Sequence, residues 1–135
     1  MSDTMSDTLR LEHGARAPGH ARRWIIQRCQ EWRCDDLADA AALLITELVT
    51  NVFLHARTDC LIQAGFEHAT LEVTVTDQDA HEPVVHPTSV SAEDGRGLAI
   101  LASIADAWGV QKQDGSAKSV WFHLTDQPPT DPTDT

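Results

Sequence analysis

The period of the apolar positions changes along the chain. Leu9 and Leu11, with one polar residue between them, predict a short opening strand. Ala21, Trp24, Ile25 and Trp32 then recur at roughly helical spacing, and Pro18 near their start suits a first helical turn, where its missing N–H costs nothing. Arg22, Arg23 and Arg28 fall between these positions and are expected mostly to face solvent. The longest helical signal is LADAAALLITELVTNVFLHA, for which Asp35 and Asp36 are the N-cap candidates.

From about Asp59 to Phe66 and from Leu71 to Asp77 the period becomes two, with Leu71, Val73 and Val75 on one face and Glu72, Thr74 and Thr76 on the other. These segments predict antiparallel strands joined near Glu67 to Thr70. Residues 78–95 carry Pro83, Pro87, Asp94 and Gly95 without regular periodicity, which predicts a long loop of the kind that is commonly functional or mobile. A short helix is expected from about Gly97 to Ala105. Ala107 to Gln111 and Lys118 to Leu124 read as a hairpin around Asp114 and Gly115. The elements assemble into an α+β, two-layer α/β sandwich, a mixed and mostly antiparallel sheet with helices on one face. Both ends are polar and expected to be disordered, which leaves residues 1–7 as a tail, 8–124 as the folded domain and 125–135 as an acidic tail.

A chain of 135 residues fits one such domain and has no room for a second. No apolar run approaches the roughly 20 residues of a bilayer span, and the N-terminus shows no secretory signal, so a cytoplasmic location without membrane is expected. The net charge of −11 opposes direct binding of nucleic acid. An anionic small molecule remains possible if the site itself supplies positive potential from backbone N–H groups, a metal ion or a few basic side chains. Cys29, Cys34 and Cys60 are an odd number without C-x-x-C spacing and predict reduced, mostly buried thiols. His81 and His86 flank HEPVVH, but Pro83 and the spacing exclude a zincin helix.

Three features carry candidate chemistry. Glu47, Asn51 and His55 follow one another at i, i+4 and place a polar stripe on a largely apolar helix; an ordinary solvated face has the same pattern. Asp77 continues the parity of Leu71, Val73 and Val75, so a strand ends with a carboxylate on its apolar face, where a ligand amine would satisfy it or where it would open an Asx turn. Gly95-Arg96-Gly97-Leu98 puts two glycines before a helical pattern, which allows backbone N–H groups to approach a phosphate. Arg96 and Lys118 are the nearby sources of positive charge.

In combination and order, ITELVTNVFLHA, VTVTDQD, DGRGLAIL and GSAKSVWFHL resemble the nucleotide-binding segments of the GHKL superfamily, specifically its stand-alone anti-sigma-factor serine kinase branch of actinobacterial type. The resemblance runs from about Leu9 to Leu124. It implies a Bergerat-type ATP site in which Asn51 coordinates Mg²⁺ on the ATP phosphates and Glu47 is the general base. By the same resemblance Asp77 accepts the adenine amine, Gly95, Arg96, Gly97 and Leu98 close on the phosphates, and Lys118 and Ser119 lie near the base or phosphates. The implied partners are a STAS-domain antagonist, which such a kinase phosphorylates, and a sigma factor, which it sequesters, with a possible homodimer. The chain departs from the pattern after Asp77: Gln78, Asp79, Ala80 and His81 stand where family members carry glycines. That departure keeps a second reading open, a non-catalytic module whose partner surface is gated by ATP.

Overall fold

The computed structural model describes residues 4–77, 99–112 and 117–126. Five strands form one sheet in the order β1-β2-β3-β5-β4, comprising β1 (Met5–Leu11), β2 (Cys60–Glu67), β3 (Thr70–Asp77), β4 (Ala107–Lys112) and β5 (Lys118–Thr125). Every pairing among these described strands is antiparallel, in keeping with the expected mostly antiparallel sheet. Two long helices, α1 (Ala17–Glu31) and α2 (Ala38–Asn51), pack on one another against the sheet. Residues 99–104 are helical, as the sequence predicts, while Gly95 to Leu98, the 78–95 stretch and the C-terminal residues 127–135 lie outside the described residues.

Register makes the two faces of the sheet unlike. Leu71, Val73 and Val75 on β3 lie level with Leu124, Phe122 and Val120 on β5 and with Phe66, Ala64 and Ile62 on β2. Most of these side chains are buried beneath the helices together with Ile25, Leu44, Ile45 and Leu48. Each such side chain contributes about 1.5–3 kcal/mol by leaving water, which outweighs the weak cost of the β-branched residues in α2. The opposite face carries Glu72, Thr74, Thr76, Ser119, Trp121 and His123. Trp121 lies across the strand axis onto β4: a Cβ placed on Gly109, its cross-strand partner, would meet the indole at 2.7–2.8 Å.

Four expectations change in the structure. The opening strand begins at Met5, so residues 5–7 are not a disordered tail. The reason is Asp7, which points to the helix side of an edge strand and takes both an ion pair and a hydrogen bond from Arg28 on α1. Arg28 in turn is not solvent-facing: it also holds Glu31 at 2.7 Å and lies over the Trp24 ring. Asp35 and Asp36 do not cap α2 with their side chains; they open a 3₁₀ turn (Asp35–Leu37) that runs straight into it, where their charge favours the helix N-terminus. Finally, the continuous helical run Asp35–Ala56 is, by length and composition, apolar enough to cross a membrane, with a mean hydropathy of 1.7. Its apolar side is occupied by the core, where Leu44, Ile45, Leu48 and Val49 are 3% exposed or less.

The β2–β3 connection is a two-residue hairpin in which His68 and Ala69 both have positive φ, 52° and 60°. This is the type I′ geometry that matches sheet twist, formed here without the usual glycine. The three thiols are free and buried, as expected. Burial pushes Cys29 up to about 12 and Cys60 up to about 11, so neither is a thiolate near neutral pH.

Candidate nucleotide site

Glu47 and Asn51 lie one turn apart on α2 and are both half-buried, flanked along the same side by the exposed Leu43 and Leu54. The other side of α2 packs into the core through Leu44, Ile45, Leu48 and Val49, which is why the polar pair is forced outward. Immediately after Asn51 the backbone changes character. Val52–Ala56 form a π-helical turn, closed by the Arg57 N–H donating to the Val52 carbonyl at 2.8 Å, with Arg57 at φ 55°. His55 sits within this wider turn, so it departs from the α-helical stripe of Glu47 and Asn51 that its spacing predicts. Single π turns of this kind are frequent at functional sites.

The end of this helix is clasped to the loop after β1. The His13 main-chain N–H donates to Asp59 Oδ1 at 2.8 Å, its ring Nε2 lies 3.2 Å from the Phe53 carbonyl oxygen, and the His13 and Phe53 rings stack at 5.0 Å. Beneath them is a small hollow lined by Gly14, Ala17, Val49, Val52, Phe53 and Cys60 among others. Cys60 is the cross-strand partner of Asp77. The last turns of α2 therefore lie over the end of the sheet at which Asp77 stands, bringing Asn51 and Asp77 to one end of the domain.

Asp77 is only 5% exposed and stands on the helix-covered face, as its parity predicts. A carboxylate so buried requires hydrogen bonds, and the Lys118 main-chain N–H donates one to Oδ1 at 3.1 Å. Its charge is felt next door, where it adds to the burial and the Asp59 charge that push the Cys60 thiol up. Lys118 is exposed and shares the face of Asp77. The structure separates Ser119 from this group: the next residue along a strand points to the other face, and Ser119 Oγ lies 2.8 Å from Thr76 Oγ1 there, at 4% exposure. Lys118 and Ser119, expected on the neighbouring strand near the base or phosphates, both lie on β5, and strand alternation turns the Ser119 side chain to the face opposite Asp77. Gly95, Arg96, Gly97 and Leu98 are outside the described residues.

The donor set fits Mg²⁺ in a particular way. Among the described residues no three His, Cys, Asp or Glu side chains form a cation cage. Asn51 offers a hard carboxamide oxygen at a half-exposed helix end, which suits an ion that takes one or two protein ligands and fills its octahedron with substrate phosphates and water. Neither the π turn nor the His13–Asp59 clasp has a signature in the sequence, since both depend on where the chain returns in space.

The family model for the histidine kinase-like ATPase domain matches residues 10–124, which spans the described elements apart from Met5 to Leu9 of β1 and Thr125 at the end of β5. A comparison with curated proteins finds no match. With an antiparallel sheet covered on one face by helices, a polar pair on the long helix and a buried aspartate at the end of β3, the chain belongs to the histidine kinase-like ATPase domain family of the GHKL superfamily, whose fold is an ATP-binding α/β sandwich.

Proposed function

We propose that this domain is an anti-sigma-factor-type serine/threonine kinase, which phosphorylates a STAS-domain antagonist at the expense of ATP and, in its other partner state, sequesters a sigma factor. The observation that carries the ATP part is Asp77, a carboxylate buried at a strand end inside a domain of ATP-binding type and oriented by a main-chain donor. In this reading its carboxylate accepts the exocyclic amine of adenine, an acceptor role that a buried, preoriented oxygen performs at little reorganisation cost. Asn51 would hold Mg²⁺ through its carboxamide oxygen. The bound ion supplies charge neutralisation on the phosphates. Glu47, one turn before Asn51, takes the proton of the attacking seryl hydroxyl, and its half-buried position leaves it accessible to a docked substrate. Lys118 adds positive charge on the Asp77 face, and Gly95, Arg96, Gly97 and Leu98 are assigned to the phosphates by resemblance.

Incubation of the purified protein with γ-labelled ATP and candidate STAS proteins from the same genome tests the assignment. Transfer of label to a serine or threonine of a STAS protein, lost in Glu47→Ala, is the expected result. The replacement of glycines by Gln78, Asp79, Ala80 and His81 favours the second reading, an ATP-gated binding module without transfer. That reading gains if MgATP binds and no STAS protein is labelled.

A further inference from the structure

The chain contains two lysines, Lys112 and Lys118, and the structure sets them directly opposite one another on β4 and β5. Like charges at directly opposed positions destabilise a sheet, and among the described residues neither ammonium has a carboxylate within ion-pair distance. Both are exposed, in a protein whose net charge is −11. On the same face of β4, and continuing toward its start, are Val110 and Trp108, respectively 45% and 37% exposed and two of the four large apolar side chains most exposed among the described residues. Along β4 an apolar pair thus leads to Lys112, which faces Lys118 on β5, a cationic pair without an ion-pair partner among the described residues.

That strand is also an edge. Among the described residues β4 pairs with β5 on one side and ends the sheet on the other. The opposite edge is guarded: β1 carries Asp7 pointing inward and neutralised by Arg28, a device that discourages pairing by foreign strands. The described part of β4 carries no inward acidic residue and no proline.

We propose that the outer edge of β4, with the surface formed by Trp108, Val110, Lys112 and Lys118, docks an extended acidic segment of a partner protein. The segment adds as a strand to β4, lays alternate apolar side chains on Trp108 and Val110, and brings carboxylates to the two lysines. Main-chain bonds supply affinity in such strand addition and the alternate side chains supply specificity. Charge complementarity selects the partner: the patch is cationic on an otherwise acidic molecule, so an acidic segment is attracted locally while a second copy of this chain is repelled overall. The site stands whether or not the domain transfers phosphate.

The test uses a fluorescein-labelled peptide of about eight residues, the length of a strand, alternating valine and glutamate, titrated against the full chain by anisotropy. Saturable binding is expected, weakened about tenfold by Lys112→Glu and by raising salt from low to physiological ionic strength, with the fold of the variant checked by its unchanged melting curve. A peptide with lysine in place of glutamate is expected to recover binding to Lys112→Glu, which loss of fold cannot mimic. Amide shifts on peptide addition are expected on β4 and β5. Equal affinity for Lys112→Glu, amide shifts confined to β1, or concentration-dependent self-association that Val110→Asp abolishes would each overturn the proposal, the last by giving the face to a second copy.

Discussion

Asp77 and Lys118 are joined by their strands rather than by their charges: the main-chain N–H of Lys118, not its ammonium, holds Asp77 Oδ1 at 3.1 Å. The orientation of the carboxylate is therefore set by the pairing of β3 with β5, and replacing the Lys118 side chain leaves that donor in place. If Asp77 accepts adenine as proposed, the acceptor is held by the sheet itself.

This geometry implies a separation of roles. Asp77→Asn is expected to weaken ATP binding by about tenfold or more, because one carboxylate acceptor is replaced by an amide. Glu47→Ala is expected to keep ATP affinity and lose phosphoryl transfer. Isothermal titration of both variants with MgATP, alongside the label-transfer assay, checks this, and equal loss of affinity in both contradicts the assignment.

MgATP at a hundredfold excess over its dissociation constant is expected to stabilise the domain by about 2.7 kcal/mol, or roughly 8–12 °C in melting temperature. Differential scanning fluorimetry with and without millimolar MgATP measures it. No shift would remove ATP as the ligand.

The His68-Ala69 turn holds two residues with side chains at positive φ. Replacing them with Asn-Gly, the pair that prefers type I′, is expected to raise stability by about 1 kcal/mol through relief of the left-handed conformation at Ala69. Urea unfolding of the double variant should show a higher midpoint with the same slope.

Gly109 and Trp121 are expected to be coupled. Gly109→Ala places a methyl group at 2.7 Å from the indole and should cost about 1–3 kcal/mol. In the Trp121→Ala background the same substitution should cost much less, a non-additivity that a double-mutant cycle of chemical denaturation reads directly.

Acid stability should depend on Asp7. The main-chain N–H of Thr8 and the Arg28 guanidinium hold its carboxyl below the usual carboxylate range. A depressed folded value contributes stability that is present above the unfolded value, near pH 4, and is lost as pH falls through the folded one. Asp7→Asn should therefore flatten the decline of stability below pH 4 while lowering stability at neutral pH. An unchanged acid profile would mean that the Arg28 pair contributes nothing, as is common for exposed ion pairs.

Much of this architecture is legible from periodicity because its elements bury one face each. The parity of Leu71, Val73, Val75 and Asp77 is enough to place Asp77 on the covered side, and the i, i+4 spacing of Glu47 and Asn51 suffices to put them on one stripe. The same parity rule applied to Lys118 and Ser119 separates them, which a motif-level reading that treats neighbours as one site overlooks. The strand through Met5 and Asp7 is hidden because its inward positions include a charge whose partner lies 21 residues away. The π turn after Asn51 is hidden because apolar Val52, Phe53 and Leu54 suit a regular helix equally well, and closure by Arg57 in the left-handed region decides between them.

The strand order has a consequence for how this domain folds and diverges. β2 and β3 close locally across two residues, whereas β5 must return to β3 from far along the chain, as the Thr76–Ser119 contact spans 43 positions. Such non-local pairing comes late and slowly, after the hairpin and the two helices have collapsed. Yet closure entropy grows only logarithmically, so doubling the length of the excursion between β3 and β5 costs about 0.6 kcal/mol. By that measure, lengthening the connection between β3 and β5 is thermodynamically cheap. Descendants of this scaffold can lengthen that connection while the sheet goes on forming as before.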